Sequence, residues 1–154
     1  MLKDSDDEDV LIMSRSDSPS ELMLGPLQVN LILMYLGICR FMTTEAAIVV
    51  AAVGLGDSVA PWIGTRFGRH VYRMPFGRLK TMEGSVCGVF LGTVVGCYLN
   101  LWFLGLPLLP LRILLAYAAI AAVAEATAPS NLDNMAIIFV LHLSMERVAN
   151  MLPA

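Results

Sequence analysis

Five long apolar stretches, separated by glycine, proline and charged breakers, dictate what this chain of 154 residues can become. They run from about Leu22 to Phe41, Ala46 to Ile63, Gly84 to Leu106, Leu111 to Ala128 and Leu132 to about Val148. Each approaches the roughly 20 helical residues that cross a hydrocarbon core about 30 Å thick. In lipid the backbone polar groups must be satisfied within the segment, which selects helices over open sheets. The runs also exceed the length of ordinary strands. The expected fold is an all-α, polytopic membrane helix bundle of about five transmembrane helices. One helix is expected to be broken, because the second stretch carries Gly54, Gly56, Asp57 and Pro61.

Composition agrees. Hydrophobic residues make up 57% and charged residues 15% of the chain, where soluble domains average about 25% charged. That is too little polar surface to cover a soluble domain of this size. An ordinary soluble domain, a disordered chain and a nucleic-acid binder are excluded. The charge is uneven. Residues 1–21 hold seven acids against Lys3 and Arg15, whereas residues 22–154 hold six acids and eight bases. The first segment reads as a solvated, disordered, cytosolic acidic arm, the wrong chemistry for a signal or transit peptide. Residues 22–154 read as the membrane-embedded domain. Cys39, Cys87 and Cys97 are an odd set without C-x-x-C spacing, and they point to neither a disulfide framework nor a zinc site.

Alternating spans sort the loops. The side that holds the amino terminus collects Lys3, Arg15, Arg66, Arg69, Arg73, Arg78 and Lys80, against Arg40, Arg112 and Arg147 on the other. Seven bases against three make the first side cytosolic under the positive-inside rule. Asp57, the basic loop, Glu125, Asp133 and Asn134 are all expected at that same face.

Four constellations carry chemistry. Gly54-Leu55-Gly56-Asp57-Ser58 puts a carboxylate in an apolar helix, where insertion costs about 2.5–3.5 kcal/mol and function is the default reading; a packed polar kink is the alternative. Residues 64–85 place Arg66, Arg69, Arg73, Arg78 and Lys80 in a Gly-punctuated loop that runs into Thr81-Met82-Glu83-Gly84-Ser85. Backbone N–H groups, a helix amino terminus and basic side chains together favour phosphate. A juxtamembrane patch on anionic lipid, with Thr81 as a plain N-cap, explains the same residues equally well. Gly84, Gly88, Gly92 and Gly96 form a smooth stripe suited to close helix packing. Glu125, Asp133 and Asn134 could hold Mg²⁺ through carboxylates and substrate phosphates, or Asp133 could complete a capping box with Ser130. His70 and His142 have no ligand spacing and are assigned to no metal.

These residues, in this order, resemble the CTP-dependent lipid-alcohol kinases: dolichol kinase, phytol and other polyprenol kinases, and the fungal-type diacylglycerol kinase. The matching strings are Gly56-Asp57, Ile63-Gly64 through Phe67-Gly68, Lys80-Thr81-Met82-Glu83-Gly84-Ser85, Ala124-Glu125-Ala126 and Asp133-Asn134, with Glu21-Leu22 and Gly25-Pro26-Leu27 before them. The resemblance implies transfer of the CTP γ-phosphoryl group to a long lipid alcohol at the membrane surface, with Mg²⁺ or another divalent cation. It implies catalytic roles for Asp57, Lys80, Glu83, Glu125 and Asp133. Nucleotide binding would fall to Gly56, Arg66, Gly68, Lys80, Thr81, Gly84, Ser85 and Asn134, and metal binding to Asp57, Glu125 and Asp133. The expected partners are CTP, the alcohol and membrane lipids, with no nucleic acid. A homo-oligomer is one way for five helices to close a lipid cavity. Family members carry further amino-terminal spans where this chain has its acidic segment, so it reads as a compact member, a short isoform or an incomplete gene product. The acidic start favours the endoplasmic reticulum over a plastid membrane. A CTP-dependent diacylglycerol kinase, a lipid cytidylyltransferase and an inactive membrane partner are the alternatives.

Overall fold

A computed structural model describes residues 19–73, 79–129 and 132–151. Five helices follow the five apolar stretches: α1 Pro19–Cys39, α2 Thr44–Phe67, α3 Gly84–Phe103, α4 Leu111–Thr127 and α5 Asp133–Met151. Between α2 and α3 stand two short strands, β1 Val71–Arg73 and β2 Leu79–Thr81. The molecule is a membrane-type helical bundle with this one small ribbon added. By length and composition, α2 (24 residues) and α3 (20 residues) are able to cross a bilayer; the apolar parts of α1 and α5, Pro26–Cys39 and Asp133–Met145, are shorter. Of the acidic segment, residues 1–18 lie outside the described residues, and residues 19–21 open α1.

The turns have local causes. Thr43 caps α2, its hydroxyl accepting the Ala46 N–H at 3.2 Å while donating to the Arg40 carbonyl at 2.8 Å. Gly105 ends α3 with φ +64°, a left-handed conformation that glycine adopts without a Cβ penalty. The Leu106 N–H then reaches the Leu101 carbonyl and the Gly105 N–H the Trp102 carbonyl, the paired bonds of a Schellman ending. Pro107 follows and cannot resume the helix.

The expected break in the second span is a widening instead. Residues Ala52–Asp57 form a π-helical stretch, and α2 continues through it to Phe67. A second π-helical stretch, Gly84–Phe90, opens α3. The two widened stretches pack against each other. Such stretches are uncommon and concentrate at functional sites.

The glycine stripe of α3 seats that helix on α2. A Cβ at Gly88 would stand 2.3 Å from the Ala60 Cα, and one at Gly92 would stand 3.1 Å from the Gly56 Cα. Backbones approach where side chains are missing, the arrangement that drives helix association in lipid. Ile48, Val49, Val89, Cys97, Leu101, Ile137 and Leu141 are buried in the core. Outside it, Ile38, Trp102 and Phe103 are 75%, 67% and 84% exposed, the apolar surface expected of a protein facing lipid.

The ribbon is the element that the apolar pattern does not predict. β1 and β2 pair antiparallel, with Val71 opposite Thr81, Tyr72 opposite Lys80 and Arg73 opposite Leu79. Strands of three residues are too short to declare themselves by alternation. Residues 71–73 and 79–81 of the basic loop are thus strand, and Lys80 sits on β2, four residues before α3 begins.

Candidate functional site

The end of α2, the ribbon, the start of α3, the end of α4 and the start of α5 surround a cavity of about 330 Å³. α2 contributes Asp57, Ala60, Pro61, Gly64 and Thr65; β2 contributes Leu79, Lys80 and Thr81; Gly84, Ser85, Glu125 and Asp133 complete the wall. Seven of the residues singled out in the sequence thus meet at one place: Asp57, Lys80, Thr81, Gly84, Ser85, Glu125 and Asp133.

Lys80 and Glu125 form the electrostatic centre. The Lys80 Nζ donates to the Glu125 Oε1 at 2.5 Å and to the Glu125 carbonyl oxygen. Their side chains are 15% and 8% exposed. The carbonyl belongs to the last turn of α4, where acceptors lack helical partners and a cation is favourable. The other carboxylate oxygen, Glu125 Oε2, is buried with no hydrogen-bond partner among the described residues, and so is Asn134 Oδ1. Buried acceptors left unsatisfied are costly. Glu125 lines the cavity, so its second oxygen stands where a ligand would complete the site, whereas Asn134, expected there from the sequence, is not part of the wall. The Asn134 N–H donates to the Asp133 carboxylate at 3.0 Å, which holds that carboxylate at the helix start. Ser130, the partner considered for a capping box, lies outside the described residues, as does Arg78.

Thr81 is packed into a socket of glycines. A Cβ on Gly64, Gly68 or Gly84 would approach Thr81 side-chain atoms to 2.8, 2.6 and 2.9 Å. The Thr81 hydroxyl accepts the Gly84 N–H at 3.2 Å, so it does serve as a cap. The role of Gly68 in this geometry is close approach, since it ends α2 directly against β2.

Several residues singled out in the sequence stand outside the wall. The Arg66 guanidinium lies 5.7 Å from the Trp62 ring centroid. Gly56 faces Thr93 and Val89 across the α2–α3 contact. Glu83 turns to His70: its Oε1 is 2.7 Å from the ring Nδ1, and its Oε2 accepts the His70 N–H at 3.3 Å. The His70 ring, followed by backbone N–H groups, holds the Glu83 carboxyl down at about 2, against an ordinary 4.5. Sequence reasoning passed over Tyr72, whose hydroxyl is 2.6 Å from the Ser85 hydroxyl. Its three-residue strand holds no alternation long enough to register, so nothing in the sequence announces this contact.

No group of three carboxylate, imidazole or thiol side chains able to hold a metal ion by themselves occurs among the described residues. Asp57, Glu125 and Asp133 nevertheless share one cavity, and Glu125 keeps an unpartnered oxygen. That donor set suits a hydrated Mg²⁺ completed by phosphate oxygens, the usual manner of its binding, and does not suit an all-protein cage.

Over 100 residues, 64% of its length, the chain is 28% identical to a protein described as "Probable phytol kinase, chloroplastic" from Zea mays. It spans about a third of that relative, 32% of its length. No family model matches the chain. No solved structure matches it. The likeness is therefore distant and partial, and it is to a kinase named for a lipid alcohol.

Proposed function

We propose that the chain is a CTP-dependent kinase of long lipid alcohols of the phytol, dolichol or polyprenol kind, working at the cytosolic surface of the endoplasmic reticulum membrane. One observation carries the reading: in an apolar bundle, Lys80 shares a cavity at the helix ends with three carboxylates, Asp57, Glu125 and Asp133. The likeness to a phytol kinase gives the same chemistry a precedent.

Phosphoryl transfer asks mainly for alignment and charge neutralisation. Lys80, the Thr81 hydroxyl and the first turn of α3 are suited to the triphosphate, because a cation and a helix amino terminus both attract phosphate. In the reaction, a bond forms between the alcohol oxygen and the γ-phosphorus, and the bond from the γ-phosphorus to the β-bridging oxygen breaks, releasing CDP. The alcohol proton passes to a carboxylate of the wall, Asp57 or Asp133. A divalent cation held by Asp57, Glu125 and Asp133 would neutralise phosphate charge. The alcohol hydroxyl would meet the cavity at headgroup level, with its apolar chain in the bilayer beside α2. A second copy of the chain is one way to enclose that tail.

The test uses purified protein in phospholipid nanodiscs with Mg²⁺, γ-labelled or α-labelled CTP, and phytol, farnesol, dolichol or diacylglycerol. The γ label should move to a prenyl alcohol. Transfer of the α label would make the protein a cytidylyltransferase, and transfer of neither label would refute the kinase reading.

A further inference from the structure

Neither His70 nor Tyr72 lines the cavity, yet both hold the element that carries Lys80. An isolated two-stranded ribbon is at best marginally stable. This one has three pairs, and β1 packs chiefly on β2. What ties the β1 side to the bundle is polar. His70, immediately before β1, contacts the Glu83 carboxylate through both its ring and its N–H, and its carbonyl accepts the Met82 N–H at 2.9 Å. Tyr72, within β1, reaches the Ser85 hydroxyl at 2.6 Å. Both ties end on the beginning of α3, two residues apart. Tyr72 also stands directly opposite Lys80 in the ladder, so the tie fixes the backbone from which the Lys80 ammonium reaches Glu125.

We infer that His70 and Tyr72 are positioning residues of the nucleotide site: they clasp the ribbon to the start of α3 and thereby set where Lys80 stands. His70 acts through Glu83 and Tyr72 through Ser85. Glu83 on this view serves the site from outside, as the fixed post of the clasp. The inference rests on the kinase reading above for the identity of the ligand, but the clasp itself has readouts that do not depend on phosphoryl transfer.

The full chain in nanodiscs is compared as wild type, His70→Ala, His70→Asn, Tyr72→Phe, Ser85→Ala and the Tyr72→Phe/Ser85→Ala double variant. Backbone deuterium exchange is followed in the peptide covering residues 79–83, and affinity is measured with trinitrophenyl-CTP as the probe. His70→Ala should exchange faster and bind the probe about tenfold more weakly. His70→Asn keeps a side-chain N–H near the position of Nδ1, and should return to within about threefold of wild type. The double variant should bind no more weakly than the worse single variant, since partners in one contact are not additive. A His70→Ala protein with wild-type affinity, unaltered exchange in that variant, failure of rescue by asparagine, or additive losses in the double variant would each overturn the inference. Wild type that binds the probe but transfers no phosphoryl group would overturn the kinase reading alone; the affinity series still decides the clasp.

Discussion

On the proposed reading, Lys80 serves structure and chemistry together. Its ammonium sits with Glu125 in a site where both side chains are nearly buried. Removing one partner leaves the other as an uncompensated buried charge, at a cost of about 3–5 kcal/mol, whereas replacing both by apolar groups is often neutral. Lys80→Met should therefore lower the melting midpoint in detergent and abolish phosphoryl transfer, and Lys80→Met/Glu125→Leu should recover the midpoint without the activity. Loss of both in the double variant would mean that the pair matters for the fold alone. Glu83 makes a pH prediction with a definite sign. Its carboxyl is held near 2 in the folded protein, below an ordinary 4.5, chiefly by His70. A depressed carboxylate stabilises the fold above the unfolded value, and that contribution drains away as pH falls through the folded value. Melting midpoints should decline from about pH 4.5 towards 2 in wild type, and Glu83→Gln should remove that part of the decline.

At the scale of elements, the contact of α2 with α3 decides where Asp57 stands. The stripe of glycines brings the two π-helical stretches together, and these stretches present Asp57 at the end of one and Gly84 and Ser85 at the start of the other. Gly88 has no room for a side chain against Ala60. Gly88→Leu should therefore separate the helices, at a cost of about 1–3 kcal/mol or more for overpacking. Nucleotide binding should fall in the same variant, read by the trinitrophenyl-CTP titration beside the melting midpoint. Much of this element scale was legible beforehand. Five apolar runs gave five helices, and a four-residue glycine period gave a packing face. The ribbon was not legible, because three-residue strands have no pattern long enough to register and Lys80 is placed on one by pairing with Tyr72, eight positions earlier.

At the scale of the whole molecule, the alternation of helices sends Arg69 and Arg112 to opposite ends of the bundle. If the proposed orientation holds, a cysteine at position 69 should react with a membrane-impermeant maleimide added from the cytosolic side, in a background where Cys39, Cys87 and Cys97 are replaced. One at position 112 should react only after the membrane is opened. The reverse labelling would invert the topology and put the cavity away from cytosolic nucleotide.

The sequence by itself determined the class of fold and the end of the bundle at which the polar groups collect. Both follow from one-dimensional rules: a bilayer requires helices of a certain length, and crossings alternate. It also marked Asp57, Lys80, Glu125 and Asp133, because charge is scarce in a chain bound for lipid and each instance stands out. Only the tertiary structure decided who touches whom. The partnering of Lys80 with Glu125 across 45 positions, the withdrawal of Glu83 to His70, and the glycine socket around Thr81 all depend on distances set by packing. Such distances arise from how backbones approach where side chains are absent, and no periodicity in the sequence records them.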